Sequence, residues 1–231
     1  MKQKIEIFSG FSPETFKFFN DLKEYNYKPW FEEHKPIYEE EILQPLKSLV
    51  HVMTPVMYSI DSRINTNPNK IVSRIYRDIR FSKDKTPYRT SMWISFQRLL
   101  TDWQNFPGYY LEISENGYQY GMGLYMPKKK EMDALRSAIE YDPNHFRKIT
   151  EDLVEKQDFI IGGEEYKRPV NNALPEYFQQ WIQRKGVYLY KQFPVGEELF
   201  SADFAKFMAD EYNLLQPLYD YLVEICEEGI T

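Results

Sequence analysis

The chain has 231 residues, a formal net charge of −6 and one cysteine. This length allows a buried core without disulfide or metal staples, and 42% apolar residues exclude a disordered chain. The negative charge argues against a general nucleic-acid coat protein. No stretch approaches the roughly 20 apolar residues of a membrane helix. Met1–Glu6 lacks the apolar segment of a signal peptide, so we expect a cytoplasmic protein without a membrane partner.

The charge is unevenly distributed along the chain. Residues 61–100 carry nine basic and three acidic side chains, which gives this segment a formal charge of +6. Because the whole chain carries −6, the other residues together carry −12. A basic block inside an acidic chain directs attention to residues 61–100 as a place where an anion would bind.

Helices are predicted over residues 12–60. Ser12-Pro13 combines an N-cap hydroxyl with a proline at the first helical position, which favours a helix start. Apolar residues then follow at three-residue spacing from Phe16 to Tyr25. Further helical segments begin near Pro29 and Pro45, because proline is tolerated in a first turn but kinks or restarts a helix elsewhere.

The sequence then changes to strand patterns. We predict the strands Ile71–Phe81, Ser91–Leu100, Tyr109–Ser114 and Tyr118–Met126. The first alternates with period two, so its odd-numbered residues share one face and its even-numbered residues the other. Glu115-Asn116-Gly117 is typical of a tight hairpin turn. These short links favour a central antiparallel β-meander over about residues 71–126.

Residues 127–228 are predicted to be mixed and mainly helical. Asp142-Pro143 and Ser201 start helices, Phe159–Tyr166 suggests a small hairpin, and Val187–Lys191 a short strand. The fold class is therefore α+β, with the meander packed against N-terminal and C-terminal helices. No linker is long enough to separate independent domains, so we expect one domain over residues 1–231.

The basic strand and loop 74–89 hold the candidate site. Arginine offers a planar fork of donors for carboxylate or phosphate, hydroxyls and lysines add donors, and tyrosine rings stack on flat ligands. The predicted anion-binding residues are Arg74, Tyr76, Arg77, Asp78, Arg80, Ser82, Lys83, Asp84, Lys85, Tyr88 and Arg89.

Neighbouring strands are expected to complete this site. If Trp93, Ser95 and Gln97 share a face with Arg74, they form a polar and aromatic wall. Two glycines inside the fourth strand, Gly121 and Gly123, indicate either a close ligand approach or a tightly packed helix.

Catalytic and metal motifs are sparse. His34, His51 and His145 lie on different predicted helices without metal-ligand spacing, so no metal and no cofactor are predicted. Cys226 follows apolar residues of a late helix and is predicted to be a small buried side chain. Asp78 is the one carboxylate we nominate as a general base, although neighbouring arginines would lower its pKa. The sequence specifies neither a reaction nor an oligomeric state.

The string RIYRDIRFSKDKTPYR at residues 74–89 resembles the signature of a bacterial family of conserved hypothetical proteins, domain of unknown function 2461. Further resemblance lies at Asn26 with Trp30-Phe31 and Lys35, Tyr109-Tyr110, residues 121–127, Leu135-Arg136 with Ile139, and residues 167–169. Ile79 replaces the family's threonine and Arg89 its lysine. The resemblance implies one compact bacterial cytoplasmic domain and adds weight to the basic string as a unit, but it implies no activity.

Three interpretations of the basic segment remain open. It could bind a small ligand carrying phosphate or carboxylate, with or without catalysis. It could instead be a flat interaction surface for nucleic acid or an acidic protein, although the acidic remainder disfavours nucleic acid. Its charges could also form a purely structural ion-pair network, with Asp78 and Asp84 neutralising arginines and lysines.

Overall fold

The computed structural model describes residues 7–80, 83–99, 103–170 and 173–228. The α-helices are α1 (Pro13–Glu24), α2 (Lys28–Ile37), α3 (Gln44–Ile60), α4 (Pro68–Ile71), α5 (Lys129–Tyr141), α6 (Pro143–Glu155), α7 (Glu176–Ile182) and α8 (Asp203–Glu228). The strands are β1 (Ser91–Phe96), β2 (Gly108–Ser114), β3 (Gly117–Leu124), β4 (Ile160–Gly162) and β5 (Val187–Phe193). A π-helical turn, Tyr38–Leu43, connects α2 to α3.

The five strands form one antiparallel sheet in the order β1-β2-β3-β5-β4. The strands β1, β2 and β3 are consecutive in the chain, and Glu115 and Asn116 form the predicted turn between β2 and β3. Helices precede and follow these strands, so the predicted α+β class is confirmed. The segment predicted as a small hairpin pairs differently, because β4 binds β5 through Ile161 opposite Leu189. None of the described helices is long and apolar enough to cross a membrane.

The chain divides into two compact units. The first unit comprises Met1–Phe96, Tyr110–Gln119 and Gln192–Asp210, and the second comprises Gln97–Tyr109, Tyr120–Lys191 and Glu211–Thr231. The organisation of residues 1–231 as a single domain stays a prediction.

The first unit has an aromatic core built by its N-terminal helices. Helix α1 begins at Pro13 after Ser12, as predicted, and the Ser12 N–H donates to Thr15 Oγ1 at 3.3 Å. Phe18 on α1 contacts the rings of Phe31 and Tyr38 at 6.5 and 6.3 Å between ring centres. These rings are buried, so the hydrophobic effect fixes α2 against α1.

The second unit buries polar groups beside its aromatic side chains. Tyr109 of β2 contacts the rings of Tyr212 and Tyr219 on α8 at 4.9 and 5.2 Å. The buried Arg136 of α5 donates from Nε to the Ile182 carbonyl at 2.9 Å and from Nη2 to the Arg184 carbonyl at 2.7 Å. Its guanidinium thus donates to carbonyl oxygens at the C-terminal end of α7 and just beyond it, where a helix leaves carbonyls without donors of its own.

The segment predicted as the first strand is not a regular strand. It pairs with residues 88–94 of the same chain through two isolated bridges, Val72 with Ile94 and Tyr76 with Tyr88. Val72 and Tyr76 are four residues apart, whereas their partners are six residues apart, so two additional residues interrupt the ladder. Within this interruption, the Trp93 N–H donates to Ser73 Oγ at 2.9 Å. Phe81 and Leu100, at the ends of two predicted strands, lie outside the described residues.

The predicted alternation of faces nevertheless holds across the middle of this segment. Ile75 is buried and Arg77 is half-buried, whereas Arg74, Tyr76 and Asp78 are exposed. An extended backbone turns successive side chains to opposite sides even where the ladder is interrupted. The predicted period of two therefore holds over residues 74–78, although Val72 of the even-numbered set is buried and Ile79 of the odd-numbered set is exposed.

The glycines of β3 have a different explanation from either one we expected. A Cβ on Gly121 would overlap the Leu189 carbonyl oxygen, and a Cβ on Gly123 would overlap the Tyr188 backbone. Both obstacles belong to the paired strand β5, not to a ligand or a helix. These glycines therefore allow close approach of two strand backbones.

We predict that Gly121→Ala destabilises the fold by roughly 1–3 kcal/mol or more, because strand backbone cannot yield as a side chain can. Urea unfolding measures this change. The matched control is Gly196→Ala, whose added Cβ meets only the flexible Glu198 carboxylate. Equal stability of the two variants would show that β3 and β5 do not require the glycine.

Candidate anion-binding site

Arginines and two aromatic side chains line a cavity of about 490 Å³ in the first unit. The lining residues are Ser73, Arg74, Tyr76, Arg77, Asp78, Arg80, Arg89 and Trp93. Six of these were predicted as site residues. The lining contains four guanidinium groups and one carboxylate, so it is strongly basic within an acidic chain.

The other predicted site residues that the structure describes do not line the cavity. Asp84 and Lys85 are bound within the loop, and Tyr88 is buried beneath it. Lys83 is exposed and makes no ion pair with any described residue. Ser82 lies outside the described residues. Of the expected wall, Trp93 lines the cavity and Ser95 and Gln97 do not.

Asp78 and Arg80 form a two-point ion pair at the cavity. Arg80 Nε donates to Asp78 Oδ1 at 3.0 Å, and Nη2 donates to Oδ2 at 2.7 Å. The Arg80 backbone N–H also donates to Oδ1 at 3.2 Å. These hydrogen bonds from Arg80 lower the pKa of Asp78 to about 2. A carboxylate that is so weakly basic is a poor general base at neutral pH.

Arg77 is held by a second ion pair. Its Nη1 lies 2.6 Å from Asp84 Oδ2, and its Nη2 donates to the Tyr88 carbonyl at 3.4 Å. Asp84 also accepts from the backbone and hydroxyl of Thr86 at 2.9 and 2.8 Å, and these bonds lower the pKa of its carboxyl. Arg77 Nε is buried and has no hydrogen-bond partner among the described residues.

Arg74 and Arg89 differ from the other two arginines of the cavity, because neither forms an ion pair with any part of the chain that the structure describes. The guanidinium carbon of Arg89 lies 5.0 Å from the centre of the Trp93 ring, in a cation–π contact. Two of the four guanidinium charges are thus neutralised by carboxylates within the loop, and two are available to a ligand.

Aromatic rings pack against Tyr76, which lines the cavity. Phe31 stacks on Tyr88 at 4.1 Å between ring centres, and the Tyr76 ring meets Phe31 edge-on at 5.9 Å. Phe31 is fully buried, whereas 54% of Tyr76 is exposed. Tyr76 therefore offers ring surface to a ligand while its position is fixed by buried neighbours.

Asn26, between α1 and α2, binds the main chain of Tyr88. Its Nδ2 donates to the Tyr88 carbonyl and its Oδ1 accepts from the Tyr88 N–H, both at 3.0 Å. Tyr88 pairs with Tyr76 on its other edge. Reasoning from residue patterns missed this role of Asn26, because no local pattern links residues 62 positions apart. It also missed Ser73, the lining residue that directly precedes Arg74. The one available signal was the family resemblance at Asn26.

Among the described residues, Cys226 and His34 do not form a second site. Burial raises the pKa of Cys226 to about 12, so the group is a thiol and not a nucleophilic thiolate, and its predicted burial is confirmed. His34 stacks on Trp30 at 4.0 Å between ring centres. No group of three or more metal-binding side chains occurs within the described residues.

We predict that Asn26→Ala destabilises the chain by about 1–3 kcal/mol, since it leaves both main-chain groups of Tyr88 without their partner. Urea unfolding is the measurement. Asn20→Ala serves as the control, because Asn20 is exposed and bonds only the Phe16 carbonyl of its own helix. A loss in the control equal to that in Asn26→Ala would contradict a specific role for Asn26.

We also predict that the Asp78 carboxyl titrates near pH 2 by carbon NMR, and that Arg80→Gln moves its pKa up towards 3.8. Because this pKa is lowered by folding, the ion pair stabilises the loop above pH 3.8, and that contribution is lost as the pH falls through about 2. Lys83→Gln is the control and leaves the titration unchanged. A wild-type midpoint near 3.8 would exclude the ion pair.

Comparison with known proteins places the chain in a family without assigning it a reaction. The family model described as "Conserved hypothetical protein (DUF2461)" matches residues 14–221, which include every residue of the cavity. A search of curated proteins gave no match. Since the model covers most of the chain, the protein belongs to the DUF2461 family of conserved hypothetical proteins.

Proposed function

We propose that this protein binds a small anionic ligand, carrying a phosphate or carboxylate group, in the cavity around Arg74 and Arg89. The observation that carries the proposal is the presence in one cavity of two guanidinium groups that have no carboxylate partner among the described residues. Arginine at such a place offers paired N–H donors in a plane that matches carboxylate and phosphate oxygens.

The unpartnered Nε of Arg77 supports the same conclusion. A buried donor without an acceptor costs free energy, and an exception among buried polar groups is commonly explained by a missing water, ion or ligand. Asp84 and the Tyr88 carbonyl hold the other two nitrogens of this guanidinium. Because Arg77 lines the cavity, an anion bound there is the acceptor that we propose for Nε.

The ion pairs of the loop fit a positioning role within this proposal. Asp78 and Asp84 each accept hydrogen bonds from within residues 77–86, so they stabilise the local conformation of the loop. The Arg80–Asp78 pair is exposed and the Arg77–Asp84 pair is partly exposed, and such ion pairs contribute little to global stability. The ion pairs therefore do not account for Arg74, or for Arg89, whose charge helps to lower the pKa of Asp78 without forming an ion pair with it.

Isothermal titration calorimetry with inorganic phosphate, phosphoenolpyruvate and citrate tests the proposal on the wild-type chain. We expect Arg74→Ala and Arg89→Ala each to weaken binding about 10- to 100-fold, as expected for loss of a charge-assisted hydrogen bond. Lys83→Ala is the matched control, because it removes one exposed charge from the same loop without altering the cavity lining.

Equal loss of affinity in Lys83→Ala and Arg74→Ala would indicate general charge attraction and would count against a built site. If none of the three anions binds at low salt, the proposal is overturned. A melting temperature that falls strongly in Arg74→Ala, with no anion bound by the wild type, would instead support a purely structural role for the segment.

A further inference from the structure

The charge left over in the cavity limits the class of anion that it suits. The lining carries Arg74, Arg77, Arg80, Arg89 and Asp78, and the pairs with Asp78 and Asp84 neutralise Arg80 and Arg77. A formal charge of +2 remains, on Arg74 and Arg89. A phosphate monoester carries about −1.5 to −2 at pH 7 and matches this charge, whereas a single carboxylate carries less.

The size of the cavity indicates that the phosphate is attached to a larger group. A volume of about 490 Å³ falls within the range of roughly 300–1,000 Å³ that is typical of sites for metabolites and cofactors. An inorganic phosphate would fill only a small part of it. The rest of the lining must therefore contact the group that carries the phosphate.

The aromatic residues of the lining indicate what that group is. Tyr76 is 54% exposed, and its ring is held edge-on by Phe31 and at 5.5 Å from Tyr88. Trp93 is already in contact with the Arg89 guanidinium. Tyr76 thus presents a fixed ring, and a planar aromatic group of a ligand gains most from stacking on such a surface.

From these observations we infer that the ligand is a free phosphate monoester of a planar heteroaromatic group, of the nucleoside monophosphate class. Arg74 and Arg89 bind the phosphate, and the Tyr76 ring stacks on the heteroaromatic group. This inference rests on the proposed function, since it names the ligand class of the same cavity.

The experiment compares adenosine 5′-monophosphate, ribose 5-phosphate and adenosine by isothermal titration calorimetry. We expect the nucleotide to bind about 5- to 100-fold more tightly than ribose 5-phosphate, which is the gain expected from one stacked base. Adenosine, which lacks the phosphate, should show no measurable binding. Arg74→Ala should weaken both phosphate compounds to a similar degree.

Variants of Tyr76 test the stacking directly. Tyr76→Ala should reduce the affinity for the nucleotide to that for ribose 5-phosphate and leave the sugar phosphate unaffected, whereas Tyr76→Phe should retain the preference. Tyr58→Ala is the matched control, because Tyr58 is 50% exposed on α3 and does not line the cavity. Unchanged melting temperatures would verify that each variant is folded.

The outcomes separate this inference from the proposed function. If ribose 5-phosphate and the nucleotide bind equally, and both depend on Arg74, the inference is wrong and the anion site stands. If no phosphate compound binds, the inference is wrong, and if citrate does not bind either, the proposed function is wrong as well. A 5′-phosphorylated oligonucleotide that binds far more tightly than the nucleotide, with a steep dependence on salt, would overturn the inference in favour of nucleic acid.

Discussion

The two hydrogen bonds between the Asn26 amide and the main chain of Tyr88 are the constraint on which the cavity depends. Tyr88 carries the stack on Phe31, pairs with Tyr76 and accepts from Arg77 through its carbonyl. One side chain between two helices therefore determines the position of an aromatic surface and of a guanidinium. Because the amide offers both a donor and an acceptor, it binds the outer edge of an extended segment as a neighbouring strand would.

The distribution of charge would allow an acidic protein to hold the proposed anion. A net charge of −6 acts over the whole surface and is screened by salt beyond about 10 Å, whereas a ligand experiences mainly the groups within contact distance. Within that distance the two carboxylates of the loop neutralise half of the guanidinium charge. They reduce self-repulsion among four arginines, and they leave a charge that suits a dianion and not a polyanion.

Local patterns predicted the parts of this structure that depend on short-range physics. The helix start at Ser12-Pro13, the turn at Glu115-Asn116 and the alternation of side chains over residues 74–78 all follow from rules spanning a few residues. The patterns failed where distant chain segments meet. The residues around Gly121 do not predict its close approach to the Leu189 carbonyl, and the residues around Tyr88 do not predict its hydrogen bond to Asn26. The sequence pattern assigned the cavity to the basic string. The other lining residues could not be predicted, because they depend on the segment that pairs with this string and brings Trp93 to the same cavity as Arg74.

The unequal spacing between the bridges at Val72 and Tyr76 has a geometric consequence for the cavity wall. Arg89 and Trp93 are four positions apart. In an uninterrupted strand their Cα atoms would be separated by about 13 Å, since each residue adds roughly 3.3 Å. The two additional residues between Arg89 and Trp93 divert the backbone, and the guanidinium of one lies over the ring of the other. The interruption of the ladder thus brings Arg89 and Trp93 together, and we expect that deleting two of the three residues 90–92 would give a regular ladder and remove this contact.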